Sequence, residues 1–206
     1  MNTTLLKQYT TTASDGYMGA IKTTGSKSQV YLRDAELSKQ IRQALQQVLA
    51  PELSKSDVRV RKESYSMGRT IHITLRLDKS KYAPTRDEYK ETVVQNVKRR
   101  KYTWVWGSID GRPVQMFHEM YGAGSEKANK DIEETTAEQY AKWYYDRDTT
   151  DINQYHIDSE DMLNDGGKEI VKVANQVIKA FNYDDSNAMV DYFDTNFYYD
   201  LRVEWK

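Results

Sequence analysis

The chain has 206 residues, of which 38% are hydrophobic and 30% charged, with a formal net charge of −1. That length suits one domain of ordinary size or a domain with a large insertion, and no apolar run approaches the roughly 20 residues of a membrane span. Cysteine is absent, which removes disulfides, thiolate zinc sites and cysteine nucleophiles together and fits an intracellular protein. Met1 to Thr12 has no apolar core of the kind a secretory signal needs, so a cytoplasmic location is expected. The charge is divided unevenly: residues 1–130 hold 23 Lys+Arg against 13 Asp+Glu, and residues 131–206 hold 7 against 18. Such asymmetry points to a polyelectrolyte partner for one part of the chain, or to two parts that neutralise each other across the fold.

Residues 1–30, rich in Thr, Ser, Gly and Gln, read as an irregular arm with at most a short strand near Gln29 to Leu32. From Ala35 the pattern changes, and Leu37, Ile41, Ala44, Leu45, Val48 and Leu49 fall on one face of a helix that Asp34 caps and Pro51 stops. Val58 and Val60, then Ile71, Ile73, Leu75 and Leu77, alternate with Arg59, Arg61, His72, Thr74 and Arg76. This predicts two half-buried strands joined as an antiparallel hairpin through Glu63 to Arg69. Pro84 and Thr85 open a second helix, Arg86 to about Arg99, with Tyr89, Val93 and Val97 inward and Asp87 and Glu88 in its first turn.

Tyr102 to Trp106 and Pro113 to Met120 read as strands around an Asp110-Gly111 turn, and Thr136 to Tyr145 as a third helix. Asp146 to Asp165 holds seven acids with little periodicity and reads as an exposed, irregular loop. After Gly166-Gly167, the spacing of Ile170, Val173, Ala174, Val177, Ile178 and Phe181 predicts another helix. Phe197, Tyr199, Leu201, Val203 and Trp205 then alternate with Tyr198, Asp200, Arg202 and Glu204 as a terminal strand. The fold class is α+β: a mainly antiparallel sheet with three to four helices on one face. Leu37, Ile41, Leu45, Ile71, Ile73, Val173, Val177 and Phe197 should share its core.

Two charged sets are candidates for binding. Arg59, Arg61 and Arg76 share one sheet face, and Lys98, Arg99, Arg100 and Lys101 adjoin Tyr102 and Trp104. Phosphates bind such cations through counterion release, and aromatic faces stack bases; the plainer reading is a solvated face with cations at a helix C-terminus. The acidic counterpart runs from Asp131 to Asp165, with 11 acids against Lys142 and Arg147 and with Tyr140, Trp143, Tyr144, Tyr145 and Tyr155 interspersed. Asp146, Asp148, Asp151, Asp158, Glu160 and Asp161 form its candidate partner-binding surface, able to occupy a protein groove made for nucleic acid. The plainer reading is an acidic face with its aromatics inside.

Catalysis has little to stand on. The histidines are His72, His118 and His156; His118-Glu119 is not followed by the second His of a zinc-protease helix, and Gly122-Ala123-Gly124 is too short for a phosphate loop. Asp191 or Asp194 with Glu204 and Lys206 can be imagined as a metal-dependent nuclease set, although alternation already explains Glu204 as a strand position. No catalytic residue, metal ligand or cofactor is assigned.

Two stretches carry a resemblance. Val58-Arg59-Val60-Arg61, Ser64-Tyr65-Ser66-Met67-Gly68-Arg69 and Ile71-His72-Ile73-Thr74-Leu75 follow the first helix, and Phe181-Asn182-Tyr183-Asp184-Asp185-Ser186 precedes Asp191-Tyr192-Phe193-Asp194-Thr195-Asn196-Phe197-Tyr198. Over roughly residues 35–77 and 168–200 the chain resembles a small family of large polyvalent protein-associated domains of phages and conjugative elements. Residues 78–167 depart from that pattern, which suggests an arm (1–30) and one domain (31–206) with a divergent inserted region. The resemblance implies a mobile-element accessory protein acting in the cytoplasm of a bacterial host, a class that includes proteins countering host defence. The expected function is therefore non-enzymatic binding, as an anti-CRISPR type inhibitor of a nucleic-acid-guided nuclease. Its partner would be a bacterial defence protein or its guide-RNA complex, with no membrane. The alternatives are a DNA- or RNA-binding accessory protein using the basic sheet face, and a metal-dependent nuclease.

Overall fold

A computed structural model describes residues 1–28, 34–66, 68–99, 104–109, 112–117 and 141–206. The elements in chain order are α1 (Thr3–Leu6), β1 (Thr11–Asp15), β2 (Ile21–Gly25), α2 (Asp34–Val48), β3 (Val58–Tyr65), β4 (Gly68–Leu77), α3 (Lys79–Tyr82) and α4 (Arg86–Arg99). After them come β5 (Trp104–Ile109), β6 (Arg112–Phe117), a helical turn α5 at 141–145, β7 (Thr149–Ile152), α6 (Asp165–Phe181), β8 (Tyr183–Asp184) and β9 (Tyr198–Trp205). The chain divides into two compact units, one made of Met1–Lys81, Thr149–Glu160 and Asp165–Lys206, the other of Tyr82–Asp148 and Asp161–Asn164.

Alternation builds the main sheet of the first unit. A strand turns successive side chains to opposite faces, so Val58, Val60, Ile71, Ile73, Leu75, Leu77, Leu201 and Val203 are buried together while the residues between them face outward. The sheet order is β3-β4-β9-β7. β3 and β4 pair antiparallel from Val58 opposite Leu75 to Tyr65 opposite Gly68, a tighter hairpin than the expected Glu63 to Arg69 link, because polar residues pair through backbone as readily as apolar ones. β9 lies parallel to β4, with Ile73 opposite Leu201, and β7 adds antiparallel at the edge. With both helices and mostly antiparallel strands, the fold is α+β. The eight side chains expected in the core are all 4% exposed or less; each fully buried Leu, Ile, Val or Phe contributes about 1.5–3 kcal/mol.

Two segments differ from expectation, one in the first unit and one whose residues are shared between the two units. Residues 1–30 hold α1 and a β1–β2 hairpin, which β8 extends to a three-stranded sheet ordered β1-β2-β8. Hydrophobic periodicity misses it because its Thr-rich strands pair through backbone and bury little. Gly25 fixes its seat: a Cβ there would lie 2.3 Å from the Ala180 carbonyl oxygen, and the Gly25 N–H donates to Asn182 O at 2.9 Å. The strand expected near Gln29 to Leu32 lies outside the described residues. The second difference is residues 146–165, which hold β7, a 3₁₀ turn at Ile157–Ser159 and the first residue of α6. Ile152, Ile157, Met162 and Leu163 are buried there, spaced too irregularly to mark a periodic element.

The second unit begins with a capped helix. The Glu88 carboxylate accepts the Thr85 N–H and hydroxyl, each at 2.8 Å, and the Glu88 N–H returns to Thr85 Oγ1 at 3.3 Å. Those bonds hold the Glu88 carboxyl below its ordinary range. Tyr89 and Val93 are buried on the inner face of α4. β5 and β6 pair from Trp104 opposite Phe117 to Ile109 opposite Arg112, bracketing the expected turn. The Tyr145 hydroxyl donates to Pro84 O at 3.0 Å, and the Asn164 N–H to Tyr82 O at 3.0 Å. Residues 136–140 of the expected third helix lie outside the described residues.

Candidate interaction surface

The pleat places Arg59, Arg61, His72 and Arg76 on the outward face of the four-stranded sheet, as the alternation predicts. What the alternation does not reveal is their company. β9, parallel to β4, brings Asp200, Arg202 and Glu204 to the same face, and β7 brings Asp151. Glu204 binds two arginines, with Arg59 Nη1 at 3.0 Å from Oε2 and Arg76 Nε at 2.9 Å from Oε1. Arg202 Nε lies 2.6 Å from Asp151 Oδ1. His72 sits between Asp200 (Nδ1 to Oδ1, 2.6 Å) and Glu63 (Nε2 to Oε2, 3.1 Å), with Arg61 directly opposite it on β3. The face is thus a lattice of alternating charge rather than a uniformly basic one. Lys98 and Arg99 close α4 and Trp104 opens β5, all in the second unit; their side chains, and the whole of Arg100 and Lys101, lie outside the described residues.

The acidic set is likewise distributed. Asp146, Asp148 and Asp161 belong to the second unit, and Asp151, Asp158 and Glu160 to the first. Asp146 pairs with Arg86, Asp151 with Arg202, and Asp158 with Lys172, whose ammonium it holds above its ordinary range. In the second unit the Arg147 guanidinium lies over the rings of Trp143 (3.7 Å) and Tyr144 (4.1 Å). The imagined nuclease residues are held in separate places: Asp194 accepts the Tyr183 and Tyr192 phenols at 3.3 and 3.4 Å, Glu204 holds its two arginines, and Lys206 Nζ pairs with Asp57 at 2.7 Å. Among the described residues no group of three or more His, Cys, Asp or Glu could hold a metal ion.

A third surface, without periodicity to announce it, forms at one end of the first unit. The turn between β1 and β2 is pinned to the loop after β8. Asn187, 8% exposed, donates from Nδ2 to Tyr17 O (3.0 Å) and Met18 O (3.4 Å), and its Oδ1 accepts the Met189 N–H (3.0 Å). The Tyr17 N–H donates to Asp185 Oδ1 at 2.9 Å, and its ring packs on Tyr192 with centroids 4.3 Å apart. The loop closes on itself through Asp185 N–H to Asp194 O (2.8 Å) and Asn187 N–H to Tyr192 O (2.7 Å).

Around this turn and loop apolar side chains stand out in water. Met189 is 93% exposed, Ile21 73%, Tyr155 73%, Met18 69% and Phe193 59%, with Tyr17, Val190 and Tyr198 also exposed. Ile21, Tyr155, Phe193 and Tyr198 border a cleft of about 610 Å³ between the three-stranded sheet and the start of β9, with Lys179 and Asp184 as its charged groups. Tyr199, also on the cleft, donates its phenol to Asn175 Oδ1 at 2.7 Å, and burial pushes that phenol far above its ordinary value, so it stays neutral. Sequence reasoning could have noticed only the density of Tyr, Phe and Met between Tyr183 and Tyr199.

No family model, curated protein or solved structure matches the chain. Among the described residues no helix is long and apolar enough to cross a membrane. The fold defines the molecule as an α+β protein.

Proposed function

We propose that the protein works by binding another protein through the apolar end of its first unit, and that it serves a phage or related mobile element as an inhibitor of a nucleic-acid-guided bacterial nuclease. The observation that carries the binding role is the group of exposed Met18, Ile21, Met189 and Phe193 side chains on a turn and loop fixed by Asn187. Large exposed apolar patches mark interaction sites, and Met and aromatic residues are enriched at interface centres. A backbone already fixed loses little entropy on docking. The likeness of residues 35–77 and 168–200 to phage and conjugative-element domains supports the cellular part of the proposal. Nucleic-acid binding by the sheet face has less support, because counterion release needs unpaired cations and Arg59, Arg76 and Arg202 already face carboxylates.

The test is expression in a bacterium whose guided nuclease restricts a phage. The wild-type chain should restore plaquing, and the purified chain should retain the guide-loaded nuclease on a column. The double variant Met189→Asp, Phe193→Asp should lose both while unfolding at the same temperature, since both side chains are exposed. Failure of the wild type to protect defeats the anti-defence reading. Retention of salt-sensitive plain DNA by both wild type and double variant would move the function to nucleic acid.

A further inference from the structure

The outer edge of β1 is open. Ser26 N–H donates to Thr10 O at 2.8 Å and Gly16 N–H to Ala20 O at 2.8 Å, so the even-numbered residues of this strand bond toward β2. The backbone groups of Thr11, Ala13 and Asp15 therefore point the other way, and among the described residues no strand pairs with that edge. All five residues of β1 are exposed. Edge strands are usually protected by charged side chains, proline or a bulge. β3, an edge of the larger sheet, carries Arg59, Arg61, Lys62 and Glu63, whereas β1 reads Thr-Thr-Ala-Ser-Asp in unbroken register.

We propose that this edge pairs with the same edge of a second copy, antiparallel about a two-fold axis at Ala13, making one six-stranded sheet. The strand is self-complementary in that register. Ala13 faces Ala13 of the second copy and Thr11 faces Asp15 of the second copy, so every opposed pair offers outward N–H and C=O groups, and no two carboxylates meet. On the other face Thr12 meets Ser14 of the second copy, two small hydroxyl side chains. Charge agrees as well. Lys179 borders both hollows that Thr11 lines, and its ammonium lies 5.7 Å from the Tyr155 ring. Neither Lys179 nor Asp15 has an ion-pair partner among the described residues. Pairing brings Asp15 of the second copy beside Thr11, on the Lys179 side, and does so twice by symmetry. A strand-to-strand contact buries little area, so this dimer is a reversible one.

Sedimentation equilibrium tests it. The wild type should show twice the chain mass at high micromolar concentration. Ala13→Pro should be a monomer with an unchanged melting temperature, because proline is tolerated on an edge strand where its missing N–H faces out; the dimer should weaken at least about tenfold. Lys179→Glu should also weaken it, and Asp15→Lys in the same chain should restore it. Cysteine substitution reads the register independently of folding concerns, since the chain has no cysteine of its own. Under diamide, Ala13→Cys should cross-link, its Cα atoms being about 5.5 Å apart across the axis, and Thr12→Cys should not. A chain that stays monomeric to about 1 mM, a dimer that survives Ala13→Pro, or equal cross-linking at both positions overturns the proposal. The Met189→Asp, Phe193→Asp variant should still dimerise, which separates this edge from the proposed partner surface; loss of the dimer there would also overturn the proposal.

Discussion

In the four-stranded sheet, β4 buries Ile71, Ile73, Leu75 and Leu77 on one face and sets charged and polar residues in an ion-paired lattice on the other. In the three-stranded sheet, β1 buries nothing and β2 buries only Gly25. The second sheet is held by a few specific contacts instead: Gly25 against Ala180, Gln176 Nε2 to Tyr9 O at 2.8 Å, and Asn187 on the β1–β2 turn. The larger sheet puts its apolar surface to use in folding and neutralises its outward charges. The smaller one leaves apolar side chains and backbone groups free for another molecule. Folding energy and binding capacity are thus separated within one unit.

A matched pair of truncations tests that separation most severely. Ile73→Ala should cost about 2–5 kcal/mol in urea unfolding, while Ile21→Ala, at a position 73% exposed, should stay within about 0.5 kcal/mol. Similar losses would mean that the small sheet also carries folding energy. Next comes Gly25→Ala, whose new Cβ would press on the Ala180 and Lys179 carbonyl oxygens. Overpacking of that kind costs about 1–3 kcal/mol, and hydrogen exchange should accelerate in β1 and β2 ahead of β4. Uniform acceleration would show the two sheets unfolding as one.

Asp57, buried where the chain enters β3, sharpens the same contrast through pH. Burial alone would raise its carboxyl, but the Lys206 ammonium and the Ser54 hydroxyl and N–H outweigh that and hold it below its ordinary value of 3.8. A carboxyl lowered by folding gives stability that is fully present above its unfolded pKa and is lost as pH falls through the folded one. Asp57→Asn should cost about 1–3 kcal/mol at neutral pH and flatten the acid limb of the stability curve below about pH 4. An acid limb unchanged in the variant would assign that limb to other carboxylates. The smallest effect is expected at Glu204→Gln. Releasing exposed Arg59 and half-buried Arg76 from a carboxylate that is itself partly open to water should change stability by about 1 kcal/mol. A gain in salt-dependent affinity for plain duplex DNA would expose a nucleic-acid site masked by Glu204, and no gain is expected.

The elements whose apolar residues recur at a fixed period were legible from the order of residues alone. Leu37, Ile41 and Leu45 marked α2, Ile71 to Leu77 marked β4, Ile170 to Ile178 marked α6, and all are buried as their spacing requires. Periodicity is legible because each residue's burial depends on its own strand or helix meeting any apolar layer. Which strand lies beside which is a different matter, decided by the whole chain. The parallel placement of β9 against β4 brings Glu204 to Arg59, 145 positions away in sequence, and converts a basic face into a paired one. The hairpin of β1 and β2 and the edge strand β7 are joined by backbone bonds that any side chain permits, so polar sequences hide them. The exposed apolar end is a product of tertiary structure for the same reason: Met18 and Met189 are both tied to the Asn187 side chain, 169 positions from Met18.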